Sequence, residues 1–570
     1  MSENFKILHD RWRIFLERKG VPELVLVLIT LAVYARSLAM GLVYDDAGLI
    51  QIPKQLTWHD VVVLFTQNTN LFHGSNFYRP LTGLWQALVR MVAGESSVGW
   101  HASELLLHLL CAVLVFRFVL ELLKNREWAL FAAAVFALHP THVEVVTWCS
   151  DAGDMLLAIF LLLSALSLMR WLKAGGGGWW FAAWVSATAC CFIKETGVLM
   201  PALLIALAFA IESEVSQPSI LLTGLTMAAS SGAFLILRNQ ILQGFAHSLS
   251  KMDDRNLLLT EPAAVWFYFS HLTLPIKLGP FYPLEFVSSV GSKHFIVPVL
   301  LLLVLVVFGL LLIRRLQDKR FALMCIVWAT VPLVAPLYLK VFPDFELVHD
   351  RYLYIPSIAL GIALAVVFMH FRGSQNRQTT VTAIACVILA AAALQTLVYQ
   401  GVWRSNLTLF ERAVEMTPNN DRAIVNLAVA RVDQGKLPEA KQLFLRALEL
   451  RPDNAFALFD LGRLSADTNN PQVAVGYLKG ALQIEARPEW MVILANEEYK
   501  LGNTTSANFW LRRALSIDPN TRGAHLGLGW LMLNQGNRGF AIREFMAELQ
   551  LTPDDPNARY GLQVAQGGAE

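Results

Sequence analysis

About eleven apolar stretches occupy the first 400 residues of the chain, and no other feature constrains its fold as strongly. The first runs from about Val21 to Leu42, and the others centre near residues 110, 135, 163, 187, 205, 228, 305, 330, 361 and 390. An apolar helix of about 20 residues spans the hydrocarbon of a bilayer. The pattern therefore predicts an all-α fold in which residues 1–402 form a polytopic transmembrane domain of about 11 spans.

Charged residues are distributed unevenly along the chain. They make up 16% of the 570 residues, against about a quarter in typical soluble proteins, while hydrophobic residues make up 55%. The charges cluster after residue 402, so residues 403–570 are predicted to form a separate, water-soluble domain. The net charge of +2 and the lack of a long basic run argue against a nucleic-acid partner.

Basic residues mark alternate connections between the apolar stretches. They include Lys124, Arg170, Arg314 and Arg372, each close to a second basic residue, and a basic segment also precedes Val21. The positive-inside rule places these connections in the cytoplasm. The loop after the first span and the C-terminal domain are then expected on the outer side of the membrane.

Two further segments do not fit the pattern of full spans. Ala263–Leu278 is interrupted by Pro275, so we expect a re-entrant or interfacial element there. Pro80–Val92 is short and includes Gln86 and Arg90 among its apolar residues. An amphipathic helix on the outer membrane surface suits that composition.

A period of about 34 residues follows residue 403. Its clearest unit begins at Arg422 and has a turn glycine, small residues for close helix packing and a terminal proline, at Gly435, Ala440, Ala447 and Pro452. A helical half-unit precedes this unit and three comparable units follow it. The period predicts a tetratricopeptide repeat (TPR) α-solenoid, whose concave face usually binds an extended peptide or a partner helix. A spacer or an oligomerisation module is the alternative.

The adjacent carboxylates of Asp45 and Asp46 come directly after the first span, in a polar loop that reaches Arg79. Aspartate is common in polar loops, but two adjacent like charges beside a membrane span gain nothing structurally. A carboxylate is a suitable base for a hydroxyl group. We therefore expect the pair to be catalytic, with Asp46 slightly favoured as the base.

Three more groups of ionisable residues fall at the predicted outer ends of spans, although a charge at membrane depth costs at least about 2.5 kcal/mol. Such residues are expected to line a functional cavity. The groups are His142 and Glu144 followed by Asp151 and Asp154; Lys194 and Glu195; and Arg351 with Tyr352.

Each group has a structural and a functional interpretation. His142 and Glu144 suit a divalent cation such as Mg²⁺ or Mn²⁺, or else the histidine caps a kinked segment. Lys194, oriented by Glu195, suits a phosphate, or else the two neutralise each other. Arg351 also suits a phosphate, or else it snorkels beside an aromatic belt.

The order of six segments resembles the transmembrane, TPR-containing O-mannosyltransferases that modify cadherins, and more broadly the GT-C superfamily of glycosyltransferases. The segments are VYDDAGLI, FYRPLTGLWQAL, WHASELLLHLL, HPTHVEVVTWCSDAGDML, IKETGVLMP and FPDFELVHDRYLYIPS, followed by the repeats. The chain departs from the family where Asp151 and Ala152 replace a common Gly-Arg pair. That departure leaves the donor sugar open and suggests Arg79 or Arg351 as a substitute for the arginine.

The resemblance implies an inverting enzyme that moves a sugar from a polyprenyl-phosphate carrier to a hydroxyl group, with protein serine or threonine as the expected acceptor. Lys194 and Arg351 would then face the leaving phosphate, and the repeats would bind the acceptor or a partner. The expected location is a bacterial inner membrane with the repeats in the periplasm, or an endoplasmic-reticulum membrane with the repeats in the lumen. The alternatives are a non-enzymatic membrane scaffold for envelope complexes, and a polysaccharide ligase or flippase-like transporter.

Overall fold

The computed structural model describes residues 14–67, 77–244, 253–315, 318–343, 346–371 and 375–567. The basic residues of segment 1–13 and Arg372, which the sequence places in the cytoplasm, lie outside the described residues. Within them the chain is helical and has no strand, which confirms the predicted all-α class. Two compact units are present, Met1–Arg412 and Ala413–Glu570. The predicted domain boundary at residue 402 stays a prediction.

Among the described residues of the first unit, six helical segments are long and apolar enough to cross a membrane, by length and composition. Apolar residues run along each of them for at least the 18 residues that a span of about 30 Å requires. The six segments are Val21–Ala39, Ser97–Leu123, Cys149–Ala174, Gln217–Leu242, Lys293–Leu311 and Arg377–Tyr399.

The other five apolar stretches also form helices, but these are shorter. A helix rises about 1.5 Å per residue, so helices of this length reach only part of the way across the hydrocarbon. Six of the eleven predicted spans thus reach the full length within the described residues, and the crossing of the membrane by the other five stays a prediction. The five shorter helices are Arg126–Ala137, Gly177–Ile193, Met200–Ala210, Lys319–Thr330 and Pro356–Phe371.

The segment expected to be re-entrant is part of a continuous 20-residue helix, Asp254–Thr273. Pro262 lies inside this helix, and the helix ends two residues before Pro275. The predicted amphipathic segment forms a helix, Pro80–Ala93, which buries Gln86 and Arg90 and leaves Leu88, Met91 and Val92 exposed. The side chains of Gln86 and Arg90 therefore contact other parts of the protein, at the Ser150 and Ile52 carbonyl groups.

Burial differs strongly among the apolar helices. Cys149–Ala174 is buried along most of its length and forms the centre of the unit with Ser97–Leu123. Lys293–Leu311, in contrast, is almost entirely exposed although it is apolar. An exposed apolar surface of this size indicates contact with lipid. The first unit is therefore an integral membrane protein.

The remaining elements of the first unit are short helices and 3₁₀ turns, which connect the apolar helices and position many of the polar residues. The α-helices are Trp58–Thr66, His142–Thr147 and Asn406–Met416, and Gln375–Tyr399 contains the last span. The 3₁₀ segments are Ala35–Ala39, Tyr44–Gln51, Cys149–Asp151, Glu195–Leu199, Val331–Leu333, Leu339–Val341, Asp350–Leu353 and Val402–Arg404.

The second unit contains four helix pairs and a final helix, as the 34-residue period predicts. Small residues occupy the sites of closest helix approach. A Cβ atom on Gly462 would lie 2.7 Å from Leu478, and one on Gly529 would lie 2.6 Å from Phe545. The helices are Asp421–Asp433 with Leu437–Leu450, Ala455–Asp467 with Pro471–Ile484, Pro488–Lys500 with Thr504–Ile517, Ala524–Asn534 with Arg538–Leu551, and Pro556–Ala565.

Two glycines in apolar helices provide a matched test of packing. A Cβ on Gly361 would lie 2.6 Å from the Ala132 carbonyl oxygen, whereas one on Gly309 would meet nothing within 4 Å. Gly361→Ala should therefore destabilise the protein by about 1–3 kcal/mol, because two helix backbones would have to separate. Gly309→Ala should be neutral or slightly stabilising. Thermal unfolding in detergent measures both, and equal effects would contradict this packing.

Candidate functional site

The two adjacent aspartates differ completely in their surroundings. Asp46 is fully buried and Asp45 is exposed. Asp46 Oδ1 accepts hydrogen bonds from the backbone nitrogen and the hydroxyl group of Ser150, each at 2.7 Å, and its Oδ2 accepts one from the Val43 nitrogen at 3.2 Å. Both carboxylate oxygens of Asp46 are therefore occupied by the protein. Asp45 is the more exposed of the two carboxylates.

Tyr44 sets the direction in which the acidic pair leaves the first span. Its φ of 55° lies in the left-handed region, which bulky residues rarely adopt. The conformation is held by a hydrogen bond from the Tyr44 nitrogen to Asn406 Oδ1 at 2.8 Å. The ring also packs against Trp148 and Phe281, with centroids 5.7 and 6.4 Å away. Backbone strain of this kind often occurs at functional sites.

Burial raises the pKa of Asp46 from 3.8 to about 7, because the ionised carboxylate loses its hydration. The hydrogen bonds from Ser150 and Val43 oppose this shift, since they favour the charged form. The burial effect is larger. Asp46 therefore changes its charge near neutral pH.

The backbone at Lys194 separates two adjacent charges. The Gly177–Ile193 helix ends here, and Lys194 is extended, with φ of −152° and ψ of 148°. Neighbouring side chains on an extended backbone point to opposite sides, so Lys194 and Glu195 have different partners. Gly197 lets the chain fold back afterwards, because a Cβ there would lie 2.1 Å from the Cys190 carbonyl oxygen.

Lys194 is buried between two carboxylates from one helix start. Its Nζ lies 2.6 Å from Asp154 Oδ2 and 3.5 Å from Asp151 Oδ1, and only 3% of its side chain is exposed. Asp151 and Asp154 are three residues apart, so they share a face as the Ala152–Ala174 helix begins. A lysine held in this way orders the two aspartates, and it has little surface left for a phosphate.

Glu195 pairs with Arg79, which immediately precedes the Pro80–Ala93 helix. The Arg79 Nε atom lies 3.1 and 3.0 Å from the two carboxylate oxygens, and Nη2 lies 2.7 Å from Oε2. About a quarter of each side chain is exposed. The expectation that Glu195 orients Lys194 is therefore wrong, as is its alternative of mutual neutralisation, because the extended backbone turns the two side chains apart.

Arg351 forms the third ion pair. Its Nη1 donates to Glu144 Oε1 at 2.6 Å, and its backbone nitrogen donates to Glu144 Oε2 at 3.2 Å. The guanidinium also lies over the rings of Trp148 and Tyr352, 5.2 and 5.1 Å from their centroids. Among the described residues it donates to Glu144 alone. Its side chain is 14% exposed, so part of the guanidinium faces outward.

The ring of Tyr352 joins the ion pairs into one site. Lys194 Nζ lies 5.2 Å from its centroid, and Arg351 lies 5.1 Å from it, so two cations share one aromatic ring. Arg79 is in electrostatic range of Asp151 and Tyr352. The structure therefore brings together eight side chains, which we call the ion-pair cluster: Arg79, Glu144, Asp151, Asp154, Lys194, Glu195, Arg351 and Tyr352.

His142 does not face the ion-pair cluster. It is fully buried, its Nε2 lies 2.9 Å from Ser357 Oγ, and its ring packs between Phe136 and Tyr354 at 4.8 and 4.4 Å. His142 and Glu144 were expected to hold a cation together, but His142 contacts Ser357 and Glu144 contacts Arg351. No group of three histidine, cysteine, aspartate or glutamate side chains in the described part of the chain is placed to hold a metal ion.

Two features of the site were not predicted from the sequence. Ser150 is its central link, but a serine between a cysteine and an aspartate carries no signal of its own. His101, Glu104 and His108 form a buried stripe along the Ser97–Leu123 helix. Their i, i+3, i+7 spacing inside an apolar span is a signal that could have revealed them.

Comparison with known proteins agrees with this architecture. Residues 78–236 match the family described as dolichyl-phosphate-mannose-protein mannosyltransferase. Residues 392–455 and 425–489 match the tetratricopeptide repeat family. The first match contains Arg79 and the Asp151, Asp154, Lys194 and Glu195 group. The matched residues therefore include most of the ion-pair cluster, whereas Asp45 and Asp46 lie before the matched segment.

Several curated proteins are similar along much of the chain. Protein O-mannosyl-transferase TMTC3 of Mus musculus is 23% identical over 95% of this chain and 65% of its own length. Protein O-mannosyl-transferase TMTC1 of Homo sapiens is 25% identical over 76% of this chain and 56% of its own length. These relatives confirm the resemblance to the membrane-embedded, TPR-containing O-mannosyltransferases. The chain spans less than two thirds of the length of these two relatives.

Among solved structures, the TPR protein YrrB, described as having an unusual peptide-binding site, is 22% identical over 28% of this chain and 85% of its own, with a TM-score of 0.26. The type IV pilus biogenesis factor PilW is 20% identical over 36% of this chain and 86% of its own, also with a TM-score of 0.26. The assignment of the repeats rests on the family match and the helix pairs.

The Arg79–Glu195 pair is suited to a double-mutant cycle. Arg79→Gln or Glu195→Gln alone should lower the free energy of unfolding by about 1–3 kcal/mol, because each leaves a largely buried charge without its partner. The double variant should lose much less than the sum of the two. Thermal unfolding of the four proteins measures the coupling, and strictly additive losses would show that the pair contributes nothing.

Proposed function

We propose that this protein is a GT-C type glycosyltransferase that moves a sugar, with mannose as the first candidate, from a polyprenyl-phosphate carrier to a hydroxyl group of a protein serine or threonine. The observation that carries the proposal is the attachment of the acidic pair to the ion-pair cluster through Ser150. This attachment holds the loop that carries the exposed carboxylate of Asp45 against the segment that contains Asp151 and Asp154. The similarity to protein O-mannosyl-transferases supports the same activity.

Asp45 is the proposed base, and Asp46 is the proposed positioning residue. The acceptor hydroxyl gives its proton to Asp45 while its oxygen attacks the anomeric carbon of the sugar. The bond between that carbon and the phosphate oxygen breaks, and the electron pair leaves with the polyprenyl phosphate. Attack opposite to the leaving group inverts the anomeric centre. Asp46 holds the loop in place, since its two oxygens are bonded to Ser150 and Val43.

Arg79 and Arg351 are the proposed contacts of the leaving phosphate. Both guanidinium groups are partly exposed although each is held by a carboxylate, so they supply fixed positive charge without a rearrangement. Lys194 is too deeply buried for this role, and we assign it to the positioning of Asp151 and Asp154. The lipid chain of the donor would lie against exposed apolar helices such as Lys293–Leu311.

The repeats are proposed to bind the protein acceptor or a partner. The second unit has a groove of about 510 Å³ between the Ala455–Asp467 and Pro488–Lys500 helices. Its lining carries both charges and an aromatic ring, including Arg463, Asp467 and Tyr499. Such a lining suits an extended polar peptide. The proposed side is the periplasm of a bacterial inner membrane or the lumen of the endoplasmic reticulum, as the distribution of basic residues favours.

Two matched variants test the assignment of the acidic pair. Asp45→Asn should abolish transfer, because the amide cannot take the proton, while leaving thermal stability close to that of the wild type. Asp46→Asn should lower transfer by about 10- to 100-fold through loss of positioning. The measurement is transfer of radiolabelled sugar from polyprenyl-phosphate mannose to acceptor peptides by the purified protein.

The controls separate the assignment from the activity itself. Both variants must insert into the membrane and unfold cooperatively, as the wild type does. Full activity of Asp45→Asn would reject Asp45 as the base. Failure of the wild type to use any polyprenyl-phosphate sugar would reject the proposed function as a whole.

A pH profile tests the role of Asp46 separately. The ionised carboxylate bonds Ser150 more strongly than the neutral one, and the pKa of Asp46 is about 7. Transfer by the wild type should therefore fall as the pH is lowered through about 7, and this decline should be absent in Asp46→Asn. An identical decline in the variant would contradict the prediction.

The same ionisation should affect stability in the opposite direction. Because the pKa of folded Asp46 lies above its ordinary value of 3.8, the contribution of Asp46 to the free energy of unfolding should fall as the pH rises from about 4 to about 7. Asp46→Asn should remove this contribution. Thermal unfolding of both proteins across this pH range provides the comparison.

A further inference from the structure

Two hydrogen-bond acceptors beside Ser150 have no donor among the described residues. They are Gln86 Oε1 and Asp151 Oδ2. Gln86 is 2% exposed and Asp151 is 5% exposed, so both side chains are buried. Buried polar atoms without a partner are rare in folded proteins, and a bound ligand with hydroxyl groups would supply the missing donors.

The orientation of both side chains is fixed by their other atoms. Gln86 Nε2 donates to the Ser150 carbonyl oxygen at 3.2 Å, which directs Oε1 away from that carbonyl. Asp151 Oδ1 faces Lys194 at 3.5 Å, so Oδ2 is the oxygen without a donor. The two acceptors therefore lie on either side of one serine, on the segment that also anchors the acidic pair.

The charge around these acceptors limits the ligand. Lys194 is shared by Asp151 and Asp154, so this part of the ion-pair cluster has one more carboxylate than cation. A sugar acid would be repelled by that excess negative charge. A neutral sugar, in contrast, supplies hydroxyl donors to acceptor oxygens without adding a charge.

We propose that Gln86 and Asp151 bind hydroxyl groups of the donor sugar and select a neutral hexose. The inference rests on the proposed function and deepens it, because it assigns the residues that recognise the sugar and not those that transfer it. The two side chains accept one hydroxyl proton each. The phosphate of the same donor then lies toward Arg79 and Arg351, away from the carboxylates of Asp151 and Asp154.

One other arrangement would satisfy Asp151. The carboxylates of Asp151 and Asp154 are close enough for a hydrogen bond between them if one is protonated. Asp151 Oδ2 would then need no donor from a ligand. Donors that lack single hydroxyl groups separate the two arrangements, because a proton shared within the protein is indifferent to the hydroxyl groups of the donor.

The test uses a series of donors, each lacking one hydroxyl group, made from the polyprenyl-phosphate hexose that the wild type transfers. A site built to bond a hydroxyl rejects the analogue without it, so the kcat/KM of the wild type should fall on the order of 10- to 100-fold for one or two of the donors. In Asp151→Asn, Lys194 attracts the amide oxygen, so a nitrogen replaces Oδ2. The penalty for one deoxy donor should then largely disappear.

Gln86→Met provides a second variant, which should lose the penalty for a different deoxy donor. Glu548→Gln is the matched control, because Glu548 is a buried carboxylate whose two oxygens already accept from the backbone nitrogens of Gly523 and Leu526. Its deoxy penalties should equal those of the wild type, whatever its overall rate. If Asp151 or Gln86 had only a structural role, its substitution would lower kcat/KM by the same factor for the parent donor and for every deoxy donor. The ratio between parent and deoxy donors would then stay as in the wild type.

Two outcomes would overturn the inference. One is a wild type that accepts every deoxy donor equally well, and the other is a set of penalties unchanged in both Asp151→Asn and Gln86→Met. Either result leaves the transferase proposal standing, since the wild type would still transfer the parent sugar. A wild type that transfers no lipid-linked sugar would instead reject the proposed function.

Discussion

The hydrogen bonds between Asp46 and Ser150 hold the candidate site together. They connect the loop after the first span to the 3₁₀ turn at the start of Cys149–Ala174, the most buried of the six span-length segments. Their two ends are about 100 residues apart in the chain. Together with the hydrogen bond from Tyr44 to Asn406, this link fixes the backbone that carries the exposed Asp45. This arrangement supports the proposal that the buried aspartate positions the loop and that its exposed neighbour is the base.

The ion pairs explain how a membrane protein tolerates so many charges in one place. Each cation of the site has a carboxylate partner, and all three partnerships join segments distant in sequence. An isolated buried charge costs several kcal/mol, so the pairs must be complete for the unit to be stable. The cost also argues against a purely structural origin. Apolar residues would fill the same volume at lower cost, so the charges indicate a function.

Much of this architecture could be predicted from the sequence, because hydrophobic pattern and repeat period are local properties. All eleven apolar stretches form helices, and the 34-residue period forms helix pairs. The length of each helix could not be predicted, since helix ends depend on caps and tertiary contacts that hydropathy does not record. The residues of the ion-pair cluster were recognisable as ionisable groups beside apolar segments. Their partners were not, because pairing is decided by backbone direction at single residues such as Lys194.

The extended backbone at Lys194 determines on which side of the chain each of the two neighbouring charges finds its partner. Lys194 meets Asp154 on one side of the chain, and Glu195 meets Arg79 on the other, because adjacent side chains alternate there. Loss or gain of one residue between Ile193 and Gly197 would exchange the two sides, placing a glutamate against two aspartates and a lysine against an arginine. Both of these partnerships would turn from attraction to repulsion at once. This connection should therefore tolerate substitution far better than any change in its length.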